Sequence, residues 1–220
     1  FAADTSPRGA EFRVNTYTTG NQFADGVSVG ANGDFVVVWT SYQDGNGASV
    51  HGQRYDGAGS PLGGEFQLNS YTFSHQSQAE IARAADGRFV VSWMSYLQDG
   101  SVQGVAARRF DAAGNPLGSD FMVNSFTLAD QLHSAIASDA NGNFIVAWRD
   151  QAQRDGSSWG IFAQAFDAGG NRLGPDFLVN TYTTGDQFIP AASMTATGEF
   201  VVAFGSRLTD GSEEAAMARR

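Results

Sequence analysis

One short apolar stretch occurs four times in this chain at nearly even spacing. Each copy is a turn glycine followed by a β-branched and aromatic run, which is typical of a buried strand. The copies lie at 33–39, 87–93, 142–148 and 198–204. A strand that returns at a fixed period indicates that one supersecondary unit is repeated four times.

A second landmark, Phe-x-(Val/Leu)-Asn, defines the length of the repeat. Its phenylalanines are Phe12, Phe66, Phe121 and Phe177, spaced 54, 55 and 56 residues apart, and its asparagines are Asn15, Asn69, Asn124 and Asn180. The repeats are therefore 12–65, 66–120, 121–176, and 177–220 plus 1–11. The repeats differ in length because the segment between the apolar run and an Asp-Gly turn differs in length. This segment is expected to be a surface loop, which tolerates insertion.

Each repeat predicts four antiparallel strands. A short strand rich in small residues (27–29, 81–83, 136–138, 192–194) precedes the apolar run, and Asn-Gly or Asp-Gly hairpin signals join the two in most repeats. A third strand follows (50–55, 104–110, 160–166), and the Phe-x-Val-Asn segment is the fourth. We therefore expect an all-β, single-domain, four-bladed β-propeller of four-stranded antiparallel blades over residues 1–220.

The two ends of the chain complete one repeat between them. Residues 215–220 match the third strand and residues 11–15 the fourth, so the register is circular. This predicts a last blade closed by the N-terminal strand in a monomer. Two alternatives stay open: an eight-blade ring made by two chains, and an excerpt of a longer array.

Charge and apolar patterning limit the partners. The net charge of −10 disfavours binding to a phosphate backbone, so we expect no nucleic acid partner. The sequence has no apolar run long enough to cross a membrane, so we expect no membrane insertion. The chain has no cysteine, which leaves the compartment open.

The combined pattern of Phe-x-Val-Asn-Thr-Tyr-Thr-Thr-Gly-Asp-Gln, Gly-x-Phe-Val-Val-x-Trp and Gln-Arg-Phe/Tyr-Asp-x-x-Gly covers the whole chain. It resembles tandem β-propeller-type repeats, here about 54 residues long, of large secreted bacterial RTX/adhesin-like proteins. The resemblance implies a secreted or cell-surface protein with a binding or spacer role. It carries over no catalytic residue, and because the glycine-rich calcium-binding nonapeptide of RTX repeats is absent, no motif supports a calcium cofactor.

Repeated amides and tyrosines are the candidate ligand-binding residues. The glutamines lie seven residues after each asparagine, and tyrosines follow three of the four asparagines by two residues. The candidates are Gln22, Gln76, Gln131, Gln187, Tyr17, Tyr71 and Tyr182. A ring of amides near one mouth suits a hydroxyl-rich ligand such as a glycan. The alternative is structural, because amides can also tie loop backbone groups of adjacent blades together.

The other conspicuous side chains favour structural interpretations. The aromatic set Trp39, Trp93, Trp148 and Phe204 indicates core between blades rather than a sugar platform. The Asp-Gly turns at Asp44, Asp99, Asp155 and Asp210 need only turn chemistry. We expect His51, His75 and His133 to be surface or loop residues and no metal site to form. Arg83 and Asp139 stand out as unique charges beside the small-residue strands.

These observations predict a non-catalytic extracellular module for binding or adhesion, with a glycan or cell-surface ligand as partner. The first alternative is a structural spacer in a giant surface protein. The second is a polysaccharide-active enzyme, because a catalytic carboxylate pair can meet in space without any sequence motif.

Overall fold

A computed structural model describes residues 9–156, 158–207 and 213–220 and shows an all-β chain. Four antiparallel sheets follow one another along the sequence, and no helix occurs among the described residues. The first sheet is β1 (Gln22–Val29), β2 (Phe35–Ser41), β3 (Ser49–Tyr55) and β4 (Phe66–Gln67). The second is β5 (Gln76–Arg83), β6 (Phe89–Tyr96), β7 (Gln103–Phe110) and β8 (Phe121–Met122). The third is β9 (Gln131–Ser138), β10 (Phe144–Asp150), β11 (Gly160–Phe166) and β12 (Phe177–Leu178), and the fourth is β13 (Gln187–Met194), β14 (Phe200–Arg207) and β15 (Glu214–Arg219).

Strands pair in sequence order within every sheet, as the repeated meander predicts. The first strands of successive sheets, β1, β5, β9 and β13, lie next to one another and form the inner edge of the assembly. We therefore call each sheet a blade and number the blades one to four. The predicted all-β propeller fold is confirmed. Nowhere in the described part of the chain is there a helix long and apolar enough to span a membrane.

Each blade has two different faces. One face is aliphatic, and the other carries the aromatic residues of the repeated run. Val36, Val38 and Leu68 of blade one pack against Phe89, Trp93 and Phe110 of blade two. The same contact joins blade two to blade three and blade three to blade four. Trp39, Trp93 and Trp148 are almost fully buried, so they are core, which agrees with the phenylalanine at the fourth position.

The inner strands are longer than predicted. Each has eight residues and begins at the repeated glutamine rather than five residues later. A β-bulge near the start of each strand breaks the alternation of side chains, and this break hides the first half of the strand in the sequence.

The outer strands are shorter than predicted, with two residues each. The asparagine that follows continues the pairing with its side chain. In blade one, the Leu68 N–H donates to the carbonyl of Val50, and the Val50 N–H donates to Asn69 Oδ1, both at 2.8 Å. The amide thus stands in for a backbone carbonyl at the end of the sheet.

The predicted closing strand is not observed in blade four. Among the described residues this blade has three strands, and residues 11–15 belong to no sheet. The N-terminal segment instead lies on blade one, where Phe12 contacts Tyr55 at a ring distance of 5.3 Å and the Tyr55 hydroxyl donates to the Val14 carbonyl. No strand of the described part of the chain pairs with this segment. Asp210 and Gly211 of the fourth predicted turn lie outside the described residues.

Candidate functional site

The predicted glutamines are placed inside the fold. Gln76, Gln131 and Gln187 have no exposed surface, whereas Gln22 is partly exposed. Asn69 Nδ2 donates to Gln76 Oε1 at 3.1 Å, and Gln76 Nε2 donates to the Phe73 carbonyl at 2.9 Å. Equivalent amide pairs join Asn15 to Gln22, Asn124 to Gln131 and Asn180 to Gln187. In the three buried pairs, the amides are thus engaged with the protein itself, and a ligand role for the four glutamines stays a prediction.

The predicted tyrosines lie in the same loops. Tyr17, Tyr71 and Tyr182 are partly exposed, and the backbone carbonyl of each accepts a hydrogen bond from the preceding asparagine. The Tyr71 N–H also donates to Asp120 of the next blade at 2.9 Å. These loops are therefore held by backbone contacts, while the rings stay accessible at the surface.

The other singled-out residues have structural partners. Asp139 accepts hydrogen bonds from the backbone N–H groups of Asn141 and Asn143, so it stabilises a hairpin turn. Arg83 forms an ion pair with Asp34. The expectation of a surface or loop position is wrong for His51, which lies buried in β3 beside Ser49 and Gln43. His133 lies within the inner strand β9 rather than in a loop, and it is partly exposed.

The bulges at the start of the inner strands carry the unusual backbone of the molecule. Gln78, His133 and Ile189 occupy equivalent bulge positions in β5, β9 and β13, with φ of 58°, 50° and 47°. Positive φ is uncommon for residues other than glycine, above all for a β-branched isoleucine. Such strain persists where the surrounding structure holds it and is concentrated at functional sites.

Two carboxylates lie at these bulges on neighbouring blades. Asp25 is the extra residue of the β1 bulge, and Glu80 follows the bulge of β5. Both side chains are half-buried. The Thr40 hydroxyl donates to Asp25 Oδ2 at 2.6 Å and accepts from the Gln78 N–H at 3.2 Å, so one hydroxyl ties the first carboxylate to the second blade.

The surroundings raise the pKa of both carboxyl groups. For Asp25, burial raises the pKa, against the opposing effect of hydrogen bonds from Thr40 and from the backbone of Ala79. For Glu80, burial raises the pKa and the negative charge of Asp25 raises it further. Asp25 thus has hydrogen bonds that favour its ionised form, while its charge favours the protonated form of Glu80. A neighbouring acid and base of this kind is the arrangement that proton-transfer catalysis requires.

A cationic group lies at the same end of the inner strands, on blade three. The Arg149 guanidinium stacks over the Trp159 ring at 3.8 Å, and its nearest carboxylate in an ion pair is Asp186 at 4.0 Å. Burial lowers the pKa of His133, and the positive charge of Arg149 lowers it further, so both effects favour the neutral imidazole. Burial raises the pKa of Asp130 in the adjoining loop. Polar groups of blade three therefore lie at the same end of the inner strands as Asp25 and Glu80.

Sequence reasoning missed Asp25 and Glu80, although a signal was present. The positions equivalent to Asp25 hold Ala79, Ser134 and Pro190, and those equivalent to Glu80 hold Gly26, Ala135 and Ala191. A carboxylate at a position where the other repeats have small or apolar residues departs from the repeat pattern. The departures that were conspicuous in the sequence, Arg83 and Asp139, lie at the far end of an inner strand and directly after one.

The residues that the structure describes contain no group of three or more histidine, aspartate, glutamate or cysteine side chains arranged to hold a metal ion. The turn carboxylates of Asp99 and Asp155 accept hydrogen bonds from Asn124 and Asn180 at 3.0 and 3.1 Å.

No family model and no curated protein matches the chain. Solved structures do resemble it. The GH93 α-L-arabinofuranosidase of Fusarium graminearum has a TM-score of 0.61 at 11% identity, over 89% of this chain and 60% of that one. The endo-arabinase from Bacteroides thetaiotaomicron has a TM-score of 0.53 at 15% identity, over 87% and 72%. A protein of unknown function from Dyadobacter fermentans has a TM-score of 0.61 at 16% identity, over 88% and 51%. At these identities the similarity establishes the shared fold.

These neighbours correct the functional prediction made from the sequence. We expected a non-catalytic module for binding or adhesion and no enzyme. The named structures of known activity that share the fold are enzymes, an arabinofuranosidase and an arabinase. The repeat pattern reports the scaffold, and this scaffold also occurs in enzymes, so the pattern gave no ground for expecting a non-catalytic protein.

Proposed function

We propose that the protein is a polysaccharide-active enzyme that hydrolyses glycosidic bonds with Asp25 and Glu80. The observation that carries the proposal is the pairing of two half-buried carboxylates with raised pKa values on adjacent inner strands. The fold shared with an arabinofuranosidase and an arabinase supports a carbohydrate ligand.

The two carboxylates take different roles because their surroundings differ. Burial and the charge of Asp25 favour the protonated form of Glu80, so Glu80 is assigned as the acid that donates a proton to the leaving glycosidic oxygen. Asp25, whose ionised form is favoured by the Thr40 hydroxyl and the Ala79 N–H, acts as the base or nucleophile. Glycoside hydrolysis requires one protonated and one ionised carboxyl group at the scissile bond.

Polar side chains at the neighbouring bulges would bind the sugar hydroxyls. Gln78 and His133 offer donors and acceptors at equivalent positions of β5 and β9. Arg149, held flat against Trp159, adds a fixed donor group. These residues extend the site along the inner edge, as a chain of sugar units requires.

The experiment is release of reducing ends from arabinan, arabinoxylan and xylan by the purified chain. We expect Glu80→Gln and Asp25→Asn each to lower the rate by about 10²–10⁴-fold, the usual contribution of acid–base catalysis. Asp86→Asn is the matched control, because Asp86 is an exposed carboxylate in the hairpin that follows the same strand as Glu80. Absence of hydrolysis by the wild-type chain on every polysaccharide contradicts the proposal. Full activity in either carboxylate variant assigns the chemistry to other residues.

A further inference from the structure

Blade four leaves uncovered the face that every other blade buries. Val201 is 40% exposed, whereas its equivalents Val36, Val90 and Ile145 are 3%, 4% and 0% exposed because the next blade packs on them. The outer strand is also missing from this blade, so β15 is an unpaired edge among the described residues. Unpaired edges and exposed apolar faces mark sites of association.

Blade one leaves the complementary face uncovered. Val27 is 65% exposed, whereas its equivalents Ile81 and Ile136 are 9% and 8% exposed under the preceding blade. The segment 9–15 lies on this blade. It contains the Phe-x-Val-Asn pattern of an outer strand but belongs to no sheet. Phe12 contacts Tyr55 as Phe66 contacts Phe110, and the Thr16 N–H donates to Glu65 as the Ser70 N–H donates to Asp120. The N-terminal segment is therefore positioned as the last strand of a blade that would precede blade one.

We propose that a second copy of this chain supplies the missing contact, with blade four of one copy packed on blade one of the other. The N-terminal segment of the second copy becomes the fourth strand of blade four and pairs with β15. This interface continues the contact that already joins blade one to two, two to three and three to four. Two copies related in this way bury both uncovered faces of each chain if the rotation closes, giving a ring.

The repeat predicts one specific contact across this interface. The carboxylate before each landmark phenylalanine accepts a backbone hydrogen bond from the preceding blade: Glu65 from Thr16 at 2.7 Å, Asp120 from Ser70 at 2.8 Å and Asp176 from Ser125 at 3.4 Å. By the same register, Glu11 of one copy faces the Thr181 N–H of the other. Both residues are exposed in the single chain.

The test combines cross-linking with sedimentation. The chain has no cysteine, so a Glu11→Cys, Thr181→Cys double variant carries the only two thiols, and we treat it with a short bis-maleimide. We expect species of two or more chains on a denaturing gel. A cross-link at the mass of one chain shows closure within the chain and overturns the proposal, as does the absence of any cross-link.

Sedimentation of the otherwise unmodified chain gives the second readout. We expect an assembly larger than the 23.3 kDa chain, and we expect Val201→Asp to shift it to a monomer by placing a charge in the interface. Leu173→Asp is the control, because Leu173 is 59% exposed in an outer turn away from both faces, and it should leave the assembly intact. A wild-type chain that sediments as a monomer, or a Val201→Asp variant that still associates, overturns the proposal.

Discussion

At the scale of single residues, the surroundings of Glu80 set both its proposed role and its effect on stability. Burial and the charge of Asp25 both favour the protonated side chain, so ionised Glu80 destabilises the folded state. If Glu80 has the proposed catalytic role, its unfavourable surroundings lower the stability of the fold in order to maintain activity. The free energy of unfolding should therefore be lower when Glu80 is ionised.

Glu80→Gln should raise the melting temperature at pH 7. The pKa of Glu80 in the folded chain lies above its ordinary value of 4.5, so the destabilisation is absent below that value and grows as the pH rises through the folded pKa. The increase in melting temperature should accordingly vanish near pH 4, where the protonated glutamate and the glutamine of the variant are both neutral. Thermal unfolding of the two proteins at both pH values measures this difference. An equal or lower melting temperature for the variant at pH 7 contradicts the assigned pKa shift.

At the scale of the elements, the asparagine–glutamine pairs hold the outer strands. Asn124 is buried, accepts the Val105 N–H at 2.9 Å and donates to Asp99, Phe126 and Gln131. Asn15 donates to Tyr17 and Gln22 and is partly exposed. The asparagine of the repeat should therefore contribute more to stability at position 124 than at position 15.

Asn124→Ala should lower the free energy of unfolding by about 3 kcal/mol, because it leaves a buried backbone N–H and other groups without partners. Asn15→Ala should cost less than about 1 kcal/mol, because water replaces the lost contacts. Urea unfolding measures both, in the Val201→Asp background so that association does not contribute. Equal losses in the two variants would show that the amide pair is not what anchors the outer strand.

Much of this architecture could be predicted from the sequence, and the part that could not has a physical cause. The glycine-led apolar runs predicted β2, β6, β10 and β14 because β-branched and aromatic residues are concentrated in each of them. The inner strands were predicted only in their second halves, since a bulge removes the alternation that reveals a strand. Asp25 and Glu80 lie in the hidden halves, and their approach depends on two blades packing together, which no local pattern encodes.

At the scale of the whole molecule, the four blades differ in how well they are covered. Blades two and three are packed on both faces, whereas blades one and four each leave one face exposed in the single chain. Local stability follows burial and packing, so the outer blades should open more readily than the inner ones.

Amide hydrogen exchange of the Val201→Asp variant should show this gradient. We expect β6, β7, β10 and β11 to exchange most slowly, and β14 and β15 to exchange faster by at least about tenfold, which corresponds to about 1.4 kcal/mol of local stability. In the unmodified chain, β15 should regain protection, because its edge is paired in the assembly. Uniform protection across the four blades of the variant would mean that the end blades are covered within one chain.

The proposed function depends on the interaction between Asp25 and Glu80, which a titration of Glu80 measures. Carbon-13 NMR of the side-chain carboxyl groups follows Glu80 in the unmodified chain and in Asp25→Asn. We predict an apparent pKa of Glu80 above its ordinary value of 4.5 in the unmodified chain, and a lower value once the charge of Asp25 is removed. A Glu80 that titrates at its ordinary value, with no response to Asp25→Asn, contradicts the pairing and the acid role that rests on it.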